Sequence, residues 1–199
     1  MKDLLIIGCG GHARSVIDII NENAEWKIKG LIGLKEEVGQ SVMNYPIIGD
    51  NLSLPKLREN FENIFLAVGK IGLDNRREEI LKKLELLDFI FPSVISKYSI
   101  ISRYSEIGKG TFIGHNVVVN VNTKIGKNCI LNTRSIVEHD SVIGENCHIS
   151  TGAIINGGVS IGDNSFIGSN SVIRENLKIP SNTIISCGKR IMGWPLREE

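Results

Sequence analysis

One histidine in the second half of the chain lies between two carboxylates, in the run Glu138, His139, Asp140. Histidine exchanges protons near neutral pH, and a neighbouring carboxylate can fix its tautomer and raise its basicity. Eighteen residues further on, Gly157 and Gly158 leave their backbone N–H groups bare. A general base beside an exposed N–H is the pairing that acyl transfer needs, since the N–H can bind the developing oxyanion. We therefore expect His139 to act as a catalytic base, with an exposed histidine that has no role as the alternative.

A second candidate site is the glycine-rich segment from Gly8 to Ala13, which reads GCGGHA and fits the pattern G-x-G-x-x-G/A. Glycines permit the tight turn, and the free N–H groups at the start of the following helix can bind phosphate. A dinucleotide site would also carry an acidic residue at the end of the next strand, but that stretch reads Ile32-Gly33-Leu34-Lys35 and Glu36 comes slightly late. NAD is therefore disfavoured, the pyrophosphate of a nucleotide sugar is the expected ligand, and a purely structural turn is the alternative.

The first ninety residues alternate predicted strands with predicted helices. Short apolar runs indicate strands at 4–7, 28–32 and 64–68, and helical spacing of apolar residues follows the first and third of them, the latter over 74–86. This alternation predicts a short parallel, doubly wound α/β sheet. We assign residues 1–92 to a small Rossmann-like domain that binds a sugar nucleotide.

From Ile95 to Ile185, every sixth residue is aliphatic, at sixteen positions without a miss. A small or slim residue usually stands two positions earlier, and glycine often follows. Hexapeptide repeats of this kind are typical of a parallel β-helix, in which three hexapeptides make one coil and the aliphatic residues stack inside. A β-sandwich would instead need turn signals every eight to twelve residues. We assign residues 93–199, with a short C-terminal segment, to this β-helix.

The eighteen-residue coil also bears on metals and on cysteine chemistry. His115, His139 and His148 differ by 24 and 9 positions, neither a multiple of eighteen, so we expect no three-histidine metal site. Cys129 and Cys147 occupy the slim inward position, so we expect direct transfer and no covalent acyl-enzyme.

Composition narrows the class of protein further. The net charge of +1 gives no electrostatic attraction to nucleic acid or to an anionic membrane, and no apolar run is long enough to span a bilayer. The four cysteines are scattered without metal-ligand spacing, and residues 1–4 lead into a strand without a signal-peptide cleavage pattern. We therefore expect a cytoplasmic protein.

Over nearly its whole length the chain resembles the bacterial sugar acetyltransferases grouped with the sialic-acid O-acetyltransferases, which include N-acetyltransferases of UDP-4-amino-sugars. The segments that carry the resemblance share glycine-rich, hexapeptide and terminal motifs: GCGGHA at 8–13 with Val16 and Asp18, Asn132-Thr133, EHDSVIG at 138–144, His148-Ile149-Ser150 with Gly152, and Gly193-Trp194-Pro195.

The resemblance implies a left-handed coil, acetyl-CoA as the donor, and a homotrimer with pantetheine between subunits. It implies that His139 is the base assisted by Asp140, and that the Gly157 N–H, beside Gly158, holds the acetyl carbonyl. It further implies the following contacts: Asn132 and His148 in or near the active site, Pro195 near the nucleotide of coenzyme A, and Gly8, Gly10, Gly11 and His12 on the phosphates of the sugar nucleotide.

Three functions follow from this reading. The leading one is N-acetylation of a nucleotide-linked 4-amino-sugar, because loss of the amine proton suits a histidine base. The second is O-acetylation of a sialic or related nonulosonic acid, and the third is a non-catalytic protein that uses the β-helix only to assemble. Many relatives carry an aspartate pair where this chain has Gly33-Leu34, so the identity of the nucleotide is left open.

Overall fold

The structure, a computed structural model, describes residues 1–23, 25–70 and 75–194. These residues form two compact units. The first contains 1–69 and 75–94, and the second contains Lys70 and 95–194.

The first unit is an α/β domain around a five-stranded sheet. Its elements in chain order are β1 (Lys2–Ile7), α1 (Gly11–Glu22), β2 (Trp26–Ile32), a 3₁₀ turn (Lys35–Glu37), β3 (Ser41–Val42), β4 (Tyr45–Gly49), α2 (Leu54–Arg58), β5 (Ile64–Leu66) and α3 (Arg76–Leu86). The strand order is β3-β4-β2-β1-β5, and every neighbouring pair is parallel except β3 with β4. The predicted Rossmann-like domain is confirmed.

The core of this unit forms where the sequence is continuously apolar. Residues 4–7 of the central strand β1 are buried, as expected for a parallel strand covered on both faces. Helix α1 buries the face formed by Ala13, Val16, Ile17 and Ile20, which is the face that its spacing predicts.

Several features of this unit differ from the prediction: helix α2 was not predicted, and β5 ends at Leu66 instead of position 68. The β3–β4 hairpin was not anticipated, because its turn residues Met43 and Asn44 both have positive φ (48° and 68°) without the Asn-Gly pair that usually marks such a turn. Helix α3 begins at Arg76, whereas the prediction began at position 74, which lies outside the described residues.

The second unit is a prism of seventeen two-residue strands. In chain order they are β6 (Val94–Ile95), β7 (Ile100–Ile101), β8 (Glu106–Ile107), β9 (Phe112–Ile113), β10 (Val118–Val119), β11 (Lys124–Ile125), β12 (Ile130–Leu131), β13 (Ile136–Val137), β14 (Val142–Ile143), β15 (His148–Ile149), β16 (Ile154–Ile155), β17 (Ser160–Ile161), β18 (Phe166–Ile167), β19 (Val172–Ile173), β20 (Lys178–Ile179), β21 (Ile184–Ile185) and β22 (Arg190–Ile191).

These strands form three parallel sheets. Strands β7-β10-β13-β16-β19-β22 make sheet 1, β8-β11-β14-β17-β20 make sheet 2, and β6-β9-β12-β15-β18-β21 make sheet 3. Each strand pairs with the strand eighteen residues later, so every coil uses one strand from each sheet. The predicted left-handed parallel β-helix of hexapeptide repeats is confirmed.

The interior of the prism is one continuous aliphatic stack. The second residue of each strand points inward, and from Ile113 to Ile191 these residues are at most 4% exposed. The repeat thus runs one hexapeptide further than the sixteen positions counted from the sequence, to Ile191. The slim inward residues, among them Thr123, Ser135 and Ser141, are also buried.

The corners of the prism require a left-handed backbone every six residues. From Gly110 to Gly188, every sixth residue has a positive φ, and nearly all of them are Asn or Gly. Both residue types tolerate this conformation at low cost, which explains their recurrence along the repeat. Two exceptions are Arg134 and Asp140.

Candidate active site

The candidate site lies at one corner of the prism, where sheet 1 turns into sheet 2. Because β13, β16 and β19 pair in register, the turns that follow them stack on one another. These turns are Glu138–Asp140, Asn156–Gly158 and Arg174–Asn176, so His139 stands over Gly157 as its eighteen-residue spacing predicts. Adjacent turns are separated by about 4.8 Å, the spacing of neighbouring strands.

Asp140 binds the imidazole of His139. It occupies the left-handed position of this corner, with φ 59°. Its carboxylate lies 2.8 Å from His139 Nδ1 and accepts a second hydrogen bond of 2.7 Å from the Asn122 amide, one coil earlier. The Asn122 bond first, and the His139 bond second, hold the pKa of the Asp140 carboxyl below its usual range. An ionised carboxylate only accepts, so His139 carries its proton on Nδ1 when neutral and leaves Nε2 as a proton acceptor.

The ring of His139 lies directly over Gly157. A Cβ atom placed on Gly157 would be 2.6 Å from His139 Cε1 and 2.7 Å from Nε2, so any larger residue would displace the imidazole. The His139 side chain is nevertheless 56% exposed, which leaves it accessible to a reactant.

Bare backbone surrounds this imidazole. The Gly158 N–H donates to the His139 carbonyl, and the Gly157 carbonyl accepts from Asn176. The Gly157 N–H itself makes no hydrogen bond with any residue that the structure describes. A free donor at this point can bind a carbonyl oxygen that gains negative charge.

These groups line a cavity of about 500 Å³, which we call the His139 cavity. Its lining residues are Glu138, His139, Asp140, Asn156, Gly157, Gly158, Glu175 and Asn176. They include three carboxylates and no lysine or arginine, so the cavity favours a cationic or hydrogen-bond-donating reactant.

Two buried hydroxyl groups hold the turns of this corner from inside the prism. Thr123 Oγ1 donates to the Glu138 carbonyl at 3.1 Å, and Ser141 Oγ donates to the Asn156 carbonyl at 3.0 Å. Glu138 is fixed from outside by the Asn120 amide at 2.6 Å. The spacing of small residues in the sequence predicts these inward positions, but it does not predict that their hydroxyl groups bind carbonyls of the corner turns.

Asn132 and His148 do not line the His139 cavity. Asn132 lies at the other edge of sheet 1, where its side-chain oxygen accepts from the Thr133 N–H at 2.9 Å. His148 is 8% exposed on sheet 3, donates from Nδ1 to the Lys70 carbonyl and packs edge-on against Phe166. Within one chain the structure therefore does not bring these two residues together with His139. Pro195, the remaining predicted contact, lies outside the described residues.

The glycine-rich segment connects β1 to α1 as predicted. Gly8 has φ +117°, and a Cβ there would lie 2.8 Å from the Ala67 carbonyl oxygen, so only glycine fits. Gly10 caps α1 without a side-chain hydrogen bond, Gly11 and His12 begin the helix, and its first turn has no acidic residue. The amino end of α1 is thus open and electrostatically positive.

A carboxylate does reach the end of β2, but it belongs to Glu37 and not to Glu36. The 3₁₀ turn folds Glu37 back, so that its Oε2 accepts from the Leu34 N–H at 2.7 Å. The same oxygen and Cys9 Sγ lie 2.6 and 2.8 Å from the place of a Gly33 Cβ. Glu37 therefore lies beside the glycine-rich segment, where an acidic residue of a nucleotide-binding domain contacts ribose.

The two cysteines inside the prism, Cys129 and Cys147, are buried, whereas Cys187 is exposed. All four are free, and the thiols of Cys129 and Cys147 are buried and donate to the carbonyls of Gly144 and Gly162. Burial, and secondarily the Glu37 charge, raise the pKa of Cys9 to about 11.

Comparison with known proteins gives family matches in both halves of the chain. Residues 3–84 match the PglD N-terminal domain. Residues 122–157 match the bacterial transferase hexapeptide family, and residues 106–137 and 158–179 match the hexapeptide repeat of succinyl-transferase.

The UDP-N-acetylbacillosamine N-acetyltransferase of Bacillus subtilis is 24% identical over 113 residues, which are 57% of this chain. The match spans about half of that curated relative, 51% of its length.

Two solved structures match 96% of the chain at 28% identity. One is a single-residue mutant of the GDP-perosamine N-acetyltransferase from Caulobacter crescentus in complex with CoA and GDP-perosamine, with a TM-score of 0.89 over 89% of that chain. The other is the acetyltransferase domain of PglB from Neisseria gonorrhoeae in complex with acetyl coenzyme A, with a TM-score of 0.84 over 92% of that chain.

Among the helices in residues 1–23, 25–70 and 75–194, none has the length and apolarity needed to cross a membrane.

The tautomer of His139 can be measured directly. At a pH where the imidazole is neutral, ¹⁵N NMR of the ring nitrogens is expected to show the proton on Nδ1, because Asp140 only accepts. In Asp140→Asn this preference is expected to fall, since an amide can donate as well as accept. A proton found mainly on Nε2 in the wild-type chain would contradict the assignment.

Proposed function

Because the chain combines a PglD N-terminal domain with hexapeptide repeats and is homologous to the UDP-N-acetylbacillosamine, perosamine and PglB acetyltransferases, we propose that it is an acetyl-CoA-dependent N-acetyltransferase acting on a nucleotide-linked amino-sugar. One observation carries the proposal: a histidine with Nδ1 bound to an ionised carboxylate lies over a bare glycine of the next coil.

In the proposed reaction His139 is the general base. The neutral amine of the sugar attacks the thioester carbonyl carbon, so that a C–N bond forms while the amine proton passes to His139 Nε2. The C–S bond then breaks, and the thiolate leaves and takes up the proton from His139. Asp140 keeps the ring oriented and stabilises the imidazolium that forms between these two steps.

The Gly157 N–H is proposed to bind the carbonyl oxygen of the acetyl group. That oxygen becomes negative in the tetrahedral intermediate, so a fixed donor stabilises the transition state more than the ground state. Gly158 contributes by keeping this wall of the cavity free of a side chain. The buried cysteine thiols support direct transfer over an acyl-enzyme.

The first unit is proposed to bind the sugar nucleotide. The open amino end of α1, entered through Gly8, Gly10, Gly11 and His12, suits the pyrophosphate. Glu37 suits the ribose hydroxyls, and the relative solved with GDP-perosamine supports a nucleotide sugar as the ligand class. We propose that residues 1–92 bind the sugar nucleotide and that residues 93–199 carry out the acetyl transfer.

Sheet 1 supports assembly into a homotrimer. The outward residues of its first five strands form an aliphatic ladder, Ile100, Val118, Ile136, Ile154 and Val172, and the outward residue of β22 is Arg190. The outward residues of sheet 2 are instead mostly charged or polar, namely Glu106, Lys124, Val142, Ser160 and Lys178. An uncovered aliphatic ladder is unfavourable in water, and second copies of the same chain would cover it in a closed ring.

This trimer would also place active sites between subunits. The His139 cavity and Asn132 lie at opposite edges of sheet 1. A threefold arrangement sets one edge of this sheet against the other edge of the next copy, so Asn132 would complete the cavity of its neighbour. The contacts of His148 and Pro195 with coenzyme A, which the family resemblance implies, remain predictions.

Free cysteines, together with acetyl-CoA and nucleotide sugars as reactants, favour the cytoplasm as the place of action. Fractionation that finds the chain outside the cytoplasm would contradict this.

The reaction is tested by thiol release from acetyl-CoA with UDP-, GDP-, dTDP- and CMP-linked sugars and free sialic acid as acceptors. Turnover is expected on an amino-sugar nucleotide, with kcat reduced about 10²–10⁴-fold in His139→Ala because the base is lost. His115→Gln, outside the cavity, serves as the matched histidine control. Turnover only on hydroxyl acceptors would favour O-acetylation, and no turnover on any acceptor would contradict the enzyme proposal.

The assembly is tested by light scattering after size-exclusion chromatography. The wild-type chain is expected at three times its mass of 21.9 kDa. Ile154→Asp is expected to dissociate it, because a charge on the aliphatic ladder cannot be buried cheaply. Ser160→Asp, at the equivalent position of sheet 2, is expected to leave it intact. A stable, active wild-type monomer would overturn both the trimer and the shared site.

A further inference from the structure

We propose that Glu175 positions the acyl donor by accepting a hydrogen bond from the first amide N–H of its pantetheine arm. This inference rests on the proposed function and assigns a role to Glu175, a carboxylate of the His139 cavity that the mechanism does not use.

Glu175 stands in a vertical row of corner residues. Because β13, β16, β19 and β22 pair in register, His139, Gly157, Glu175 and Gly193 follow one another at the same corner, one per coil. Glu175 is therefore the single side chain between two bare glycines. A ligand that runs along this row from Gly157 meets Glu175 next.

The other two carboxylates of the cavity are already held by the preceding coil. Glu138 accepts from Asn120 at 2.6 Å, and Asp140 accepts from Asn122 at 2.7 Å and from His139. The equivalent position one coil before Glu175 is Gly157, which has no side chain that could donate to the carboxylate. Within the described part of the chain, the exposed Glu175 carboxylate makes no hydrogen bond or ion pair, so its acceptor capacity is available to a ligand.

The length of the donor between its thioester and its first amide matches the distance between neighbouring coils. When the thioester carbonyl is bound at the Gly157 N–H, the first amide nitrogen of pantetheine follows four bonds later. With standard bond lengths this is roughly 5 Å in an extended chain, close to the strand spacing of about 4.8 Å. The amide therefore arrives one coil beyond Gly157, at the level of Glu175.

The position of Glu175 also argues against a contact with the acceptor amine. The attacking nitrogen must approach both His139 Nε2 and the carbonyl carbon, which lie at the level of His139 and Gly157. Glu175 lies on the far side of Gly157 from His139, toward which the sulfur and its arm extend when the donor follows this row. Its carboxylate thus orients the donor and takes no part in proton transfer.

The test is calorimetric titration of the full chain with coenzyme A, and titration with pantetheine, which lacks the nucleotide, followed by ligand NMR. Glu175→Ala is expected to raise the Kd for both ligands about tenfold, because a hydrogen bond to a charged group is lost. Glu175→Gln is expected to stay within about threefold of wild type, since its amide oxygen still accepts. Glu145→Gln, an exposed glutamate at another corner, is the control and is expected to leave both values unchanged.

Each other outcome overturns the inference. If Glu175→Ala raises the Kd for coenzyme A but not for pantetheine, Glu175 contacts the nucleotide end. Unchanged Kd values for both ligands would exclude a contact with the donor. Loss of binding in Glu175→Ala with a lowered melting temperature and no rescue by Glu175→Gln would indicate a structural role. A wild-type chain that binds neither ligand would overturn the proposed function as well, whereas the first three outcomes leave that function standing.

Discussion

The parallel pairing of each short strand with the strand eighteen residues later is the constraint on which the rest of the second unit depends. It stacks every residue on its counterpart one coil away, at the spacing of neighbouring strands. The same hydrogen bonds that align the aliphatic core therefore bring His139 over Gly157, although the two residues are distant in the chain. Such a site needs no separate loop, because the backbone hydrogen bonds between paired strands fix the positions of its residues.

The candidate site lies at a corner whose residues depart from this regular pattern. Asn or Gly is the rule at the left-handed positions, and Asp140 replaces it with a carboxylate that stays in reach of both His139 and Asn122. Gly157, one residue before the left-handed position of its coil, has no side chain, and this leaves space for the imidazole of His139. Burial plays little part, since His139 and Asp140 are both more than half exposed, and the hydrogen bonds from Asn122 and His139 are the main causes that lower the pKa of the Asp140 carboxyl.

The sequence allowed the prism, its inward residues and the pairing of His139 with Gly157 to be predicted, because all three follow from one exact period. It did not reveal Glu37 at the end of β2, since a 3₁₀ turn has no periodicity that would indicate where its side chain returns. The burial of His148 was equally hidden, because its partner, the Lys70 carbonyl, is 78 residues away and outside the repeat. The structure of the repeat could therefore be predicted from the sequence, whereas contacts between segments outside the repeat could not.

In the proposed reaction the acetyl group is transferred at the corner where His139 takes up the amine proton and the Gly157 N–H binds the carbonyl oxygen. The most direct measurement is a crystal structure of the chain with an acetyl-CoA analogue in which a methylene group replaces the thioester sulfur. We expect the acetyl carbonyl oxygen within hydrogen-bond distance of the Gly157 nitrogen, and the carbonyl carbon facing His139 Nε2. An acetyl group bound away from this corner, with the Gly157 N–H facing solvent, would contradict it.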